Sequence, residues 1–462
     1  MARGFLALGA GEAAARVLTF AGHAWVARQL GVGVYGVISL AAAAFLYLQR
    51  VADGGLTQGL GLRELAADRA NVERLAPSLI VARLLLSTVL ALLVAAGALA
   101  LLPAPDGPVL AVMALVLLPY GASPLWVALG LKQARAVAGA RTVAELVVLG
   151  LLLLLVHDPG DVARVPAAQL VGEGVTALLL ALALRKSGVH LRPTLVWARV
   201  RPLVPRALPL MLSGLMALVV YNSDFFFLRI FRDSTAVGLY GVAYMLVSFL
   251  LNLGTAFNQS LLPTLAGLEA GSVEERSLYR TSMAQVFALT LPAAVGGALV
   301  APGIIALAFG EGYALSAPAL AWLLPSVPLV LLRGVPTMAL IARGREDRVL
   351  RINLVATGVN LALNFALIPG LGILGAALST VGTEVVRLAA ALGHARAEGF
   401  ALDFLPRFLR PALAAAGMAA LLLALPHLGV LVAVPLGALA YAVGLTLVGG
   451  IRWEAGRPVL QV

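Results

Sequence analysis

Fourteen apolar stretches dominate this chain, most of them as long as one helix needs to cross the hydrocarbon core of a bilayer. They fall near residues 4–29, 34–60, 77–102, 108–130, 136–156, 166–184, 207–231, 236–262, 280–300, 316–341, 349–369, 372–394, 410–426 and 429–451. A helix satisfies its own peptide groups, which is what a backbone requires where no water reaches it. A water-soluble fold is excluded, because 61% of the residues are hydrophobic and only 12% charged, too few polar groups to face water. The expected fold class is an all-α polytopic membrane protein with about 14 transmembrane helices.

The net charge of +11 is laid out as a membrane topology and not as a nucleic-acid face. Loops and span ends on one side hold 24 of the 33 Lys and Arg, whereas the opposite side has only Arg28, Arg164, Arg229 and Arg232. An even number of spans puts both termini together, and the excess of basic residues makes that side the cytoplasm. The longest cytoplasmic connection, Arg185 to Arg206, carries six basic residues, Trp197 and three prolines, and reads as a basic linker between two bundles. External connections are short, and the longest, near residues 302–316, is half apolar, so no extracytoplasmic domain is expected. Glu12 and Arg16 interrupt the first stretch, which is too long for a signal peptide and is read as a retained span. The absence of Cys and the scatter of five His predict no metal site and no cofactor.

Tyr35-Gly36-Val37 opens the second stretch, and Tyr240-Gly241-Val242 sits at the equivalent point of the eighth. Six spans separate the two, so a repeat here is parallel, related by an axis along the membrane normal. That predicts two six-helix lobes in a V around a central cavity: an N-terminal lobe at residues 1–184, a linker at 185–206 and a C-terminal lobe at 207–394. Residues 395–462 add two helices and a cytoplasmic tail.

Five arginines lie inside apolar stretches: Arg16, Arg50, Arg83, Arg333 and Arg387. Each costs about 2.5 to 3.5 kcal/mol at mid-membrane on insertion scales, so each calls for a compensating role. One reading is self-neutralised packing pairs, with Glu12 and Arg16 at i,i+4, and Arg50 with Asp53 and Glu384 with Arg387 at i,i+3. Arg83 lies about two turns from the cytoplasmic end and is expected to snorkel. Arg333 has no acidic residue within a turn and sits among Pro325, Pro328 and Pro336, which favour a kink. Asn222 and Asp224 in the seventh stretch, and Asn360 and Asn364 one turn apart in the eleventh, are candidates for sugar hydroxyls or a coupling cation. Interhelical hydrogen bonding is the alternative reading. No GxxxxGK[ST] loop is present to bind a nucleotide, so transport would draw on an ion gradient, the membrane potential or consumption of product.

ARQLGVGVYGVISL, VADGGLTQGLGLREL, VGLYGVAYMLVSFLLNLGTAFNQSLLPTLA, FGEGYALSAPAL and NLALNFALIPGLGILGAALST follow one another across nearly the whole chain. In these segments the sequence resembles the polysaccharide transporters, the lipid-linked oligosaccharide (O-antigen type) flippases of the MATE-like MOP superfamily. The resemblance implies fourteen helices, two lobes and alternating access. It further implies transfer of an undecaprenyl-diphosphate-linked glycan from the cytoplasmic to the outer leaflet of the cell (inner) membrane, without a covalent step. Membrane lipid, the glycan carrier and polysaccharide assembly proteins are the implied partners, no nucleic acid is involved, and a monomer is expected.

On that resemblance the substrate-binding candidates are Arg16, Arg50, Asp53, Asn222, Asp224, Asn258, Arg333, Asn360, Asn364, Glu384 and Arg387, none of them catalytic. Guanidinium groups suit a diphosphate because they form charge-assisted, often bidentate hydrogen bonds to its oxygens. Arg16 and Arg50 sit at the depth where the related lipid II flippases line their cavity with arginines. The eighth stretch offers Asn252, Asn258 and Gln259 but no Arg, a departure from that pattern. A multidrug cation antiporter of the same superfamily is the nearest rival and would use acidic residues such as Asp53, Asp224 and Glu384. A membrane-embedded glycosyltransferase or polymerase would need a sizeable external loop.

Overall fold

Gly31 decides how the first 53 residues are arranged. The helix Ala13–Asp53 is 41 residues long, about 60 Å as one rod and twice a bilayer's apolar thickness. Gly31, at φ 74° and ψ 169°, breaks it into two, since a glycine adopts positive φ without steric cost. The structure, a computed structural model, describes residues 2–61, 70–454 and 457–460, with side chains except at 2–10, 12, 58–60, 253, 255, 256, 259 and 452–460.

Among the described residues, twelve helices are long and apolar enough to cross a membrane. Splitting the first at Gly31 and adding the shorter apolar helix Asp106–Ala122 brings all fourteen expected crossings onto the structure. In chain order they are α1 (residues 2–30), α2 (32–53), α3 (Ala70–Leu101), α4 (Asp106–Ala122), α5 (Ala134–Leu155), α6 (Arg164–Lys186) and α7 (Val204–Phe231). Then come α8 (Ser234–Ala266), α9 (Val273–Leu299), α10 (residues 317–342), α11 (Glu346–Leu371), α12 (Ile373–Ala397), α13 (Leu409–Ala424) and α14 (Val430–Leu447). An antiparallel pair, β1 (Ile451–Glu454) and β2 (Arg457–Leu460), follows α14.

α3 and α9 each begin seven residues before the hydropathy reading places them, and three further departures fall at backbone breaks. The second stretch, expected to run to residue 60, stops as α-helix at Asp53, because Gly54 and Gly55 take φ of 58° and 69°. Residues 56–61 continue as a π-helix. The fourth, expected over 108–130, ends at Ala122, since Pro124 cannot donate to the turn before it; a separate short helix covers Leu125–Gly130. α10 is interrupted at Leu324 and Pro325, between Ala317–Leu323 and Ser326–Ala342.

The chain divides into two compact units, residues 1–229 with 233–238, and 230–232 with 239–462. In the first unit α1 lies along α5 through small residues: a Cβ on Gly11 would come 2.5 Å from the Ala138 Cβ. Thr142 Oγ1 donates to the Gly11 carbonyl at 3.3 Å, and the Trp25 indole donates to the Val156 carbonyl at 3.0 Å. Close backbone approach of this kind is the usual adhesive between membrane helices, where apolar surface has no preference for protein over lipid. Trp126, Leu180, Val200 and Leu203 belong to an apolar core cluster of this unit. α7 shares this unit, although the repeat assigns it to the second lobe; the Tyr47 hydroxyl of α2 donates to the Leu218 carbonyl at 3.0 Å.

In the second unit α13 and α14 pack on α9. Tyr441 Oη donates to the Ala288 carbonyl at 2.7 Å, while Gly296 faces Met418 and Gly437 faces Leu422. Where α9, α10 and α12 end, the loops are tied by charge. Ser272 caps α9, Glu275 takes Arg343 in two bonds of 2.8 and 2.5 Å, and Arg345 and Arg348 share Glu398. The Arg343 guanidinium also lies 5.1 Å from the Phe400 ring centroid, within cation–π range.

Candidate functional site

Each unit buries its own polar cluster. In the first, Asp53 is the last residue of α2 and is 1% exposed. Its Oδ1 accepts the hydroxyl of Thr57, and Thr57 Oγ1 in turn accepts from Arg83 Nη1 at 3.4 Å. Arg83 Nη2 donates to the Tyr120 carbonyl, and the guanidinium stands 4.2 Å from the Tyr120 ring centroid. Arg83 therefore does not snorkel: it is 4% exposed. Pro124, four residues beyond Tyr120, has no N–H to offer that carbonyl, which accepts instead from the Ser123 N–H at 3.2 Å and has a second lone pair for the cation. Thr57 and Tyr120 belong to this cluster without having been singled out in the sequence, and Arg83, expected to snorkel, is held inside it; a carbonyl placed four residues ahead of a proline was the available signal.

Arg50 is half-buried on α2 and does not pair with Asp53. Among the described residues its side chain makes no hydrogen bond and no ion pair. It lies over Gly214 of α7, where a Cβ would come 2.6 Å from Arg50 Nε, so only glycine leaves room for it. Arg16 is half-buried on α1; its expected partner Glu12 has a side chain outside those described. On α7, Asp224 is fully buried and Asn222 is 6% exposed, with Asn222 Nδ2 donating back to the Leu218 carbonyl at 3.5 Å.

In the second unit Glu384 of α12 is 1% exposed and holds two arginines. Oε2 accepts from Arg333 Nε of α10 at 2.9 Å, and Oε1 from Arg387 Nη1 at 2.6 Å. Arg387 Nη2 reaches Asn353 Oδ1 of α11 at 2.9 Å. The i,i+3 pair of Glu384 and Arg387 is present as expected. Arg333, in contrast, finds on a neighbouring helix the acid that its own helix lacks. Asn360 and Asn364 are completely buried in a ladder between α11 and α12: Asn364 Nδ2 donates to Asn360 Oδ1 at 3.2 Å, and Asn360 Nδ2 to Thr383 Oγ1 at 3.3 Å. Asn258 of α8 donates Nδ2 to the Leu331 carbonyl at 3.1 Å and lies over Gly334, its Oδ1 buried without a hydrogen-bond partner among the described residues. Gln259 has no described side chain. The same unit holds an almost wholly apolar cavity of about 380 Å³ between α8, α9, α10, α13 and α14, with Leu246, Phe249, Leu289, Met418, Leu422 and Val434 in its wall.

With this geometry in view, comparison with known proteins places the chain. The family described as polysaccharide biosynthesis proteins matches residues 1–269, more than half of the sequence. The protein belongs to that family. This family member is 29% identical over 163 residues to the probable flippase AglR of Haloferax volcanii, a match covering 34% of each chain, so it spans about a third of that relative's length. Its fold is similar to that of the lipid II flippase MurJ in an inward closed conformation, with a TM-score of 0.73 and 13% identity over 95% of this chain and 98% of that one. It is also similar to an inward-facing multidrug resistance MATE family transporter of the MOP superfamily, with a TM-score of 0.60 and 16% identity over 83% and 95%. These identities speak for a shared fold. The family member is thus a multi-pass membrane protein whose helical fold is similar to that of these two transporters.

Proposed function

We propose that the protein is a flippase that moves a polyprenyl-diphosphate-linked oligosaccharide, such as an undecaprenyl-diphosphate precursor of a cell-surface polysaccharide, from the cytoplasmic to the outer leaflet. The observation that carries this reading is Arg50: a guanidinium at membrane depth, without a protein counter-ion among the described residues, lying in the space that Gly214 of α7 leaves open. An uncompensated cation there costs several kcal/mol unless a ligand supplies the anion, and a diphosphate is such an anion. Family membership and the name of the relative AglR point the same way.

On this reading each unit offers its own cations to a diphosphate, Arg50 with Arg16 in the first and Arg333 with Arg387 in the second; Asn222, Asp224 and Asn258 serve sugar hydroxyls or a coupling cation, while Asn360 and Asn364 are taken up by the ladder between α11 and α12. The apolar cavity of the second unit suits hydrocarbon. Alternating access needs no covalent step. A cation antiporter requires carboxylates free to take a substrate charge, whereas Asp53 is occupied by Thr57 and Glu384 by two arginines.

Cells lacking the protein should accumulate the lipid-linked glycan on the cytoplasmic leaflet, remain as resistant to organic cations as before, and not be rescued by Arg50→Ala. Cation hypersensitivity with normal surface glycan would overturn the proposal in favour of the antiporter.

A further inference from the structure

The second unit's cluster holds one carboxylate between two guanidinium groups. Glu384, Arg333 and Arg387 together carry a charge of +1, at side-chain exposures of 1%, 12% and 4%. Glu384 divides its two oxygens, one to each arginine, at 2.9 and 2.6 Å. The two arginines are not held alike. Arg387 sits one turn along α12 from Glu384 and has a second anchor in Asn353 of α11, so its position relative to the carboxylate is fixed by a shared helix. Arg333 belongs to α10, is the more exposed of the two, and meets Glu384 only across a helix–helix contact.

We propose that Glu384 is a displaceable internal counter-ion: it holds Arg333 in the unloaded protein and yields that guanidinium to an anionic head group, while Arg387 retains the carboxylate. This rests on the flippase reading above and assigns Glu384 a specificity-determining role. The exchange is close to balanced in charge, since Arg333 trades a carboxylate oxygen for a phosphate oxygen and Glu384 stays paired with Arg387 throughout. A displaced carboxylate with no second partner would be stranded at a cost of several kcal/mol; Arg387 removes that cost. The same arrangement excludes a cationic substrate, which would have to compete with two arginines for one carboxylate.

The test uses two nearly isosteric substitutions with opposite expected signs. Glu384→Gln removes the competitor of the head group, and Asn353→Asp gives Arg387 a carboxylate of its own, leaving Glu384 wholly to Arg333. Binding of a short-chain polyprenyl diphosphate to the detergent-purified full chain is measured for wild type and both variants, alongside their melting temperatures, and leaflet exchange is measured in proteoliposomes. Binding should tighten about tenfold in Glu384→Gln and weaken about tenfold in Asn353→Asp, each about 1.4 kcal/mol. Glu384→Gln should also exchange lipid more slowly, since its head group is no longer competed off. Equal affinities in all three proteins, or weakening in both variants, would overturn the displaceable counter-ion and leave the flippase reading standing. If one variant does not fold, the sign in the other decides. A wild-type protein that binds no polyprenyl diphosphate would overturn the flippase reading and the inference with it.

Discussion

The two units bury charge in different ways. In the first, Asp53 and Arg83 are bridged through the Thr57 hydroxyl at a point where the helix has just ended: α2 stops at Asp53, Gly54 and Gly55 turn the chain, and a π-helix follows. In the second, Glu384 meets its arginines directly, within α12 and across to α10, and the loops at one end of the unit are tied by Glu275 with Arg343 and Glu398 with Arg345 and Arg348. A charge pair relayed through a hydroxyl at a helix break depends on local backbone conformation; one made between regular helices does not. We therefore expect the first unit's cluster to be the more easily disturbed, and its neighbour Arg50 to be the cation most open to a ligand.

Arg83→Met tests the first half of that contrast most severely. It removes the cation beside a buried carboxylate and one of the two donors to the Tyr120 carbonyl, and should cost about 3 kcal/mol, read as a clear fall in melting temperature in detergent. A melting temperature like that of wild type would show that Arg83 is merely a surface-seeking side chain. Arg50→Ala should instead leave abundance and melting temperature near wild type and reduce transport about 100-fold, the scale of a lost charge-assisted contact worth about 3 kcal/mol. Loss of folded protein in Arg50→Ala would mean that Arg50 is structural.

Gly214→Ala tests the seat of Arg50. The added Cβ, 2.6 Å from the arginine's Nε, has to push aside the far part of a flexible side chain, so transport should fall several-fold with the fold intact. Smallest of all, Asn360→Ala should cost about 0.6 kcal/mol, the usual worth of one hydrogen bond between membrane helices. A much larger transport defect there at unchanged stability would move Asn360 from the ladder to the substrate path.

Hydropathy alone made the fold legible, because a segment of some 20 apolar residues has few structural options in lipid. Its errors within the spans fall at Gly54 with Gly55, at Pro124 and at Pro325, where apolar sequence continues through a backbone break; the hydropathy of a residue says nothing of its φ. The candidate site was legible in part. Glu384 with Arg387 is local in sequence and was visible as an i,i+3 pair. Arg333 with Glu384, 51 residues apart, and Arg83 with Tyr120, 37 apart, are set by helix packing that no single-sequence spacing encodes. Arg50 with Asp53 had the right spacing and no bond, since Asp53, at the end of α2, turns to Thr57 one turn on.

The central claim is that the membrane-embedded arginines serve an anionic lipid. It is tested most directly in proteoliposomes of the purified protein, by following leaflet exchange of a polyprenyl-diphosphate disaccharide alongside uptake of a fluorescent organic cation. The account predicts exchange of the lipid that Arg50→Ala abolishes, and no cation uptake. Cation uptake without lipid exchange would contradict it.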